Sequence, residues 1–132
     1  MKSGEIVGEF QEAVEGVLIR HRSILDCLSK FHESTSRTNR AIIKTVTDCG
    51  CISINAIKQQ FPQKESLKEC CKHMDSHIKG ELCDHCREVI AEELGNHFFY
   101  LTALCSLLNY DLGDVISREQ DRINTLGHFL LS

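Results

Sequence analysis

The sequence has a single proline, Pro62, so long stretches carry no backbone obstacle to helix formation. It has no apolar run approaching the length that spans a bilayer, which excludes a transmembrane helix. It has no cluster of Lys and Arg: the basic residues are scattered and the net charge is −4, so a phosphate backbone finds no electropositive face and nucleic acid is excluded as the expected partner. The opening residues from Met1 to Glu5 lead into a mixed polar stretch without an apolar core, which predicts no secretory signal and a cytoplasmic location. Internal repeats, low-complexity tracts and charge blocks are also missing. The chain reads as a single domain over residues 1–132.

What is present is ordinary globular material, with hydrophobic content of 42% and charged content of 26%. Its periodicity is helical. Over about residues 5–47, Phe10, Val14, Val17, His21, Ile24, Leu28, Phe31, Ile42 and Thr45 alternate in steps of three and four, forming one apolar stripe with a polar patch at Thr35 and Thr38. Weak helix formers place a break near Gly16 or around Ser34, Thr35 and Ser36. Asp48, Cys49, Gly50 and Cys51 end this stretch, and alternation at Ile52, Ile54 and Ala56 predicts a short extended segment. Residues 64–79 read as a short polar helix. A second strong helix covers about 86–109, with Ile90, Leu94, Phe98, Leu101, Cys105 and Leu108 on a broad apolar face. Asp111 is the expected N-cap of a last helix carrying Leu112, Val115, Ile116, Ile123 and Leu126. The expected fold is all-α, a bundle of about four helices with a zinc-knuckle-like insertion around 48–86.

Eight cysteines are many for a chain of this size. In a reducing compartment, clustered cysteines bind metal or do redox chemistry more often than they form structural disulfides. Cys49-x-Cys51 and Cys83-x-x-Cys86 form two close pairs, each in a turn at a helix end. Zinc takes four ligands in a tetrahedron and favours thiolates, so the expectation is a closed, structural zinc site of Cys49, Cys51, Cys83 and Cys86 with no open position for catalysis. A redox dithiol is the alternative, although no βαβ pattern hosts the C-x-x-C. His85 is expected to point outwards. Cys70, Cys71, His73 and His77 form a weaker cluster, in which His73 and His77 at i, i+4 would share a helix face, most simply a solvated one. Cys27 and Cys105 lie on apolar faces and read as core.

The run E-V-I-A-E-E-L-G-N-H-F-F-Y-L from Glu88 to Leu101, followed by D-L-G-D-V-I from Asp111 to Ile116, resembles the MazG-like all-α nucleoside triphosphate pyrophosphohydrolases. In that family a helix carrying E-E-[LI]-G-D and an apolar run is followed by a turn and a helix opening with D-L. The resemblance covers about the last third of the chain, with a looser fit from Phe31 to Ile42. The cysteine pairs are foreign to the family pattern and imply a zinc-bearing branch. The resemblance implies Mg²⁺ held by inward carboxylates, E-E-x-x-E on one helix and E-x-x-D on the next, because magnesium is a hard ion that takes oxygen ligands. On this chain the implied site residues are Glu33, Glu92, Glu93 and Asn96. The pattern is incomplete: Asn96 replaces a carboxylate with a neutral carbonyl, and Ser34 and Arg37 stand where acids are expected. Placing the first motif at residues 11–15 keeps Glu12 and Glu15 but lies too far from Glu93 in sequence. Glu12, Glu15, Glu88 and Glu92 also read as a solvated helix face.

Three functions compete. The first is a Mg²⁺-dependent nucleotide pyrophosphohydrolase. The second, favoured by the missing carboxylates, is a MazG-like scaffold that is non-catalytic or weakly active, keeps zinc for stability and binds a nucleotide or protein partner. The third is a thiol-based redox or metal sensor. A homo-oligomer, dimer or tetramer, is expected because one short partner helix cannot cover the first apolar stripe.

Overall fold

The structure is a computed structural model that describes residues 3–18, 22–60 and 74–127. Its elements in chain order are helix α1 (Ser3–Val17), helix α2 (Ile24–Lys44), a single π-turn (Thr45–Cys49), strands β1 (Ile52–Ile54) and β2 (Ile78–Gly80), helix α3 (Asp84–Leu107) and helix α4 (Leu112–Leu126). The architecture is therefore mostly helical, with four helices as expected among the described residues, and a small antiparallel hairpin is added to them. The extended segment anticipated at Ile52 is the first strand of that hairpin.

The long first stretch is two helices. Leu18, Arg22 and Ser23 are not helical, so the break falls just beyond Gly16, one of the two expected places. His21, on the expected stripe, lies outside the described residues. The other candidate break stays helical because its hydroxyls find partners within the helix. Ser34 Oγ donates to the Phe31 carbonyl at 2.7 Å, Thr35 Oγ1 to the same carbonyl at 3.3 Å, and Thr38 Oγ1 to the Ser34 carbonyl at 2.9 Å. Such i−3 and i−4 bonds satisfy polar side chains without opening the helix.

Residues 64–73 of the anticipated polar helix lie outside the described residues, and the remainder is not helical. His77 has φ 65°, which no right-handed helix admits, and Ile78–Gly80 pairs with β1 in the register Ile52↔Gly80, Ser53↔Lys79 and Ile54↔Ile78. Backbone pairing of β-branched Ile52, Ile54 and Ile78 overrides the polar composition of the segment. His77 is therefore not on a helix, and His73, its anticipated helix partner, lies outside the described residues.

α2 packs along α3, and α1 lies across α3 and α4. The core where they meet is small: Val14 and Leu18, Cys27 of α2 and Ala103 of α3, flanked by Phe99, Tyr100, Leu104 and Leu107. Cys27 and Cys105 are buried, as read from their apolar faces. The α3–α4 corner is fixed by one side chain. Gln11, itself buried, donates from Nε2 to Ser106 Oγ (3.1 Å) and the Tyr110 carbonyl (2.9 Å), while its Oε1 accepts the Leu112 N–H (2.8 Å). Asp111 caps α4 as expected, accepting the Asp114 N–H at 3.0 Å.

Large apolar side chains remain exposed on every helix. They include Ile6, Phe10 and Val17 of α1, Leu28 of α2, Leu94 and Phe98 of α3, and Val115 and Ile123 of α4. The expected broad face of α3 is thus covered on one side only. Among the described residues, no helix is long and apolar enough to cross a membrane.

Candidate metal centre

The end of α2 is shaped to deliver two cysteines. The helix widens into a π-turn whose last residue is Cys49, and Gly50 then takes φ 79° with its N–H donating to the Thr45 carbonyl at 2.8 Å. That left-handed step suits glycine and reverses the chain at Cys51, just before β1. Pairing with β2 returns the chain to the same place. Gly80, opposite Ile52, also has positive φ (89°), and a Cβ there would sit 2.7 Å from the Cys51 carbonyl oxygen. Only glycine allows this approach, which sets Cys83 three residues on as the N-cap of α3.

The result is one cluster. The sulfurs of Cys49, Cys51, Cys83 and Cys86 all lie within 4.8 Å of one another, and Cys49 and Cys83 are 3.8 Å apart. Zinc–sulfur bonds of about 2.3 Å in a tetrahedron put sulfurs about 3.8 Å apart, so the cage has the size the ion needs. Among the described residues, this is the one group of three or more Cys, His, Asp or Glu placed to share an ion. The four-cysteine cluster can hold a metal such as zinc.

Without a metal, the thiols perturb one another. The Cys86 N–H donates to Cys83 Sγ at 3.4 Å, and with the Cys86 thiol it lowers the Cys83 pKa to about 7. Cys86 is pushed up to about 12, first by the neighbouring Cys83 sulfur and then by burial. At Cys49 the Cys51 N–H and the Cys86 thiol favour the thiolate, but the sulfurs of Cys83 and Cys51, with a smaller desolvation contribution, outweigh them and the net shift is upward. Cys83 and Cys86 are thus shifted in opposite directions, as neighbouring thiols sharing a proton are; a divalent ion bound here would favour the thiolate of each ligand.

His85 is exposed and stands outside the ligand set. It lines a cavity of about 210 Å³ with Cys49 and Cys86. Cys70, Cys71 and His73 lie outside the described residues. The role of Gly80 escaped the sequence reading; the available signal was a glycine three residues before a C-x-x-C.

The residues implied by the family resemblance gather elsewhere. Glu33, Glu93 and Asn96 line a polar cavity of about 280 Å³ between α2 and α3, together with Lys30, Ser34, Arg37 and Tyr100. Glu92 is exposed and does not line it. Arg37 donates from Nε to Glu93 Oε2 (3.0 Å) and from Nη2 to Oε1 (3.2 Å), and its Nη1 lies 3.9 Å from Glu33. Lys30 holds the other Glu33 oxygen at 3.2 Å. Protein cations thus occupy the directions from which these carboxylates would grip a metal.

The chain matches no protein-family model, no curated protein and no solved structure. The likeness to MazG-like proteins therefore stands on the residues quoted for it alone.

Proposed function

We propose that this protein is a non-catalytic, MazG-like helical scaffold whose structural zinc, bound by Cys49, Cys51, Cys83 and Cys86, ties the end of α2 to the start of α3. The convergence of the four sulfurs within 4.8 Å carries this reading. Zinc with four thiolates has no open position, so its work is to hold the two helix ends and the hairpin together. Magnesium chemistry is disfavoured by the Arg37 clamp on Glu93: a hard dication would have to displace a bidentate guanidinium.

The scaffold works as a homo-oligomer, dimer or tetramer. Its support is the row of exposed apolar side chains at helical spacing on α1 (Ile6, Phe10, Val17) and on α3 (Leu94, Phe98), which a monomer leaves in water. A nucleotide is the small ligand that the family resemblance suggests.

Two measurements test the reading. Protein purified without added metal should carry one zinc per chain by mass spectrometry; substoichiometric zinc with four freely titrating thiols at these positions would refute it. Incubation with NTPs and dNTPs plus Mg²⁺ or Mn²⁺ should release no pyrophosphate above a Glu93→Ala control. Release above that control would establish the second reading, a pyrophosphohydrolase, which the shared cavity of Glu33, Glu93 and Asn96 favours.

A further inference from the structure

We propose that Cys49 is a site of oxidative modification, and that peroxide converts the cluster into a Cys49–Cys83 disulfide with loss of the metal. The loss of metal rests on the zinc reading above; the cross-link rests only on the positions of the sulfurs.

Three observations support it. Cys49 is the exposed member of the cluster, whereas Cys51 and Cys83 are partly covered and Cys86 is buried. An oxidant arriving from solvent meets Cys49 first, and thiolate oxidation follows exposure as well as thiolate character. Cys83 is in direct sulfur contact with it at 3.8 Å, so a resolving thiolate stands beside the attacked sulfur. The two cysteines also end different elements, the π-turn after α2 and the N-cap of α3. A bond between them preserves the tie that the metal provides.

The steps balance. Cys49 thiolate attacks one oxygen of hydrogen peroxide, the O–O bond breaks, and Cys49 sulfenic acid and hydroxide form. Cys83 thiolate then attacks the sulfenic sulfur, forming the S–S bond and expelling a second hydroxide. The thiolates lose two electrons, peroxide gains them, and two protons from solvent yield two waters. Zinc left with Cys51 and Cys86 has half its ligands and passes to any competing chelator. The core thiols Cys27 and Cys105 take no part, being buried away from the cluster.

The experiment uses the full chain, with its zinc content measured first. Hydrogen peroxide is added in the presence of a chromophoric zinc chelator, remaining thiols are alkylated, and non-reducing peptide mapping locates the cross-link. The expected result is zinc release in step with a Cys49–Cys83 cross-link, reversed by thiol reductant. Because each variant lacks one zinc ligand, both are treated metal-free: in Cys83→Ser the sulfenic acid should persist and take a dimedone label at Cys49, and in Cys49→Ser the dimedone label and the cross-link to Cys83 should both be lost. A first cross-link within either close pair, or to Cys70 or Cys71, would overturn the proposal, as would retention of zinc by fully loaded wild-type protein under peroxide. If either variant fails to fold, the wild-type map still decides. If the chain carries no zinc, the same map on metal-free protein tests the cross-link while the metal reading fails separately.

Discussion

Arg37 and Glu93 face each other across the α2–α3 interface in a two-pronged hydrogen bond, with nitrogen–oxygen distances of 3.0 and 3.2 Å. The guanidinium sits largely in solvent and the carboxylate is mostly covered, with side-chain exposures of 57% and 18%. The pair raises the Arg37 pKa, chiefly through the hydrogen bond to Glu93. It joins two residues that the family resemblance would assign to a magnesium cage, one as ligand and one as misfit. Here each satisfies the other.

Breaking this pair should therefore destabilise without creating or abolishing an activity. Arg37→Gln and Glu93→Gln are expected to lower the melting temperature modestly, and the double variant by less than the sum, because both remove the same contact. The loss should shrink in 1 M salt, which screens exposed charge. Thermal melts of the four proteins at two salt concentrations check it; an additive double variant would disprove the coupling.

The glycine at the hairpin should matter more than the glycine in the cysteine turn. A Cβ on Gly80 meets the Cys51 carbonyl at 2.7 Å, whereas one on Gly50 meets nothing within 4 Å, although both have positive φ. Gly50→Ala should cost about 1 kcal/mol for the left-handed backbone alone, and Gly80→Ala about 2–3 kcal/mol with weaker zinc binding. Denaturant melts and zinc competition should rank them in that order.

Gln11→Ala should cost about 2 kcal/mol, since it leaves the buried Leu112 N–H and the Tyr110 carbonyl without their partner. Gln11→Glu keeps the acceptor for Leu112 and should lose less. Urea denaturation of both variants tests this ordering.

Zinc binding should release protons and weaken in acid. Cys86 is held near 12 and Cys49 is raised, so at pH 7 both are protonated before binding, while Cys83 near 7 is about half ionised. Binding at pH 7 should then free more than two protons. As pH falls through 7, Cys83 protonates as well, and the metal-dependent part of the stability declines. Calorimetry in buffers of different ionisation enthalpy counts the protons, and melts with and without chelator at pH 8 and pH 6 follow the decline.

The proposed homo-oligomer would bury the exposed apolar faces. Phe98 on α3 is about half exposed, so Phe98→Glu should cost the monomer little and dissociate the assembly. Light scattering should return a multiple of 15.0 kDa for the wild type and 15.0 kDa for the variant. A wild-type value of 15.0 kDa would refute the assembly.

How much could be read in advance differs from place to place. Spacing of three and four predicted α2, α3 and α4, and Asp111 announced its cap, because such signals are local. The division of the first stretch was half legible: Gly16 marked the neighbourhood, while Ser34 and its neighbours stayed helical by bonding back to Phe31, which composition does not show. The second strand was misread because Ile78–Gly80 looks polar in isolation and becomes a strand only when Ile52–Ile54 lies alongside. The candidate carboxylates were found as residue types, but their pairing with Arg37 and Lys30 was not foreseen.

By itself the sequence determined the main helices and supplied the two cysteine pairs able to chelate a metal. Helix faces follow from a period of 3.6, and two short cysteine pairs have few uses other than chelation or redox chemistry. Only tertiary structure decided that the pairs meet, since Cys49 and Cys83 are 34 residues apart and no local rule fixes that distance. It also decided which groups Glu33 and Glu93 face, because a carboxylate's partner is set by the helix packed against it and not by its own neighbours in the chain.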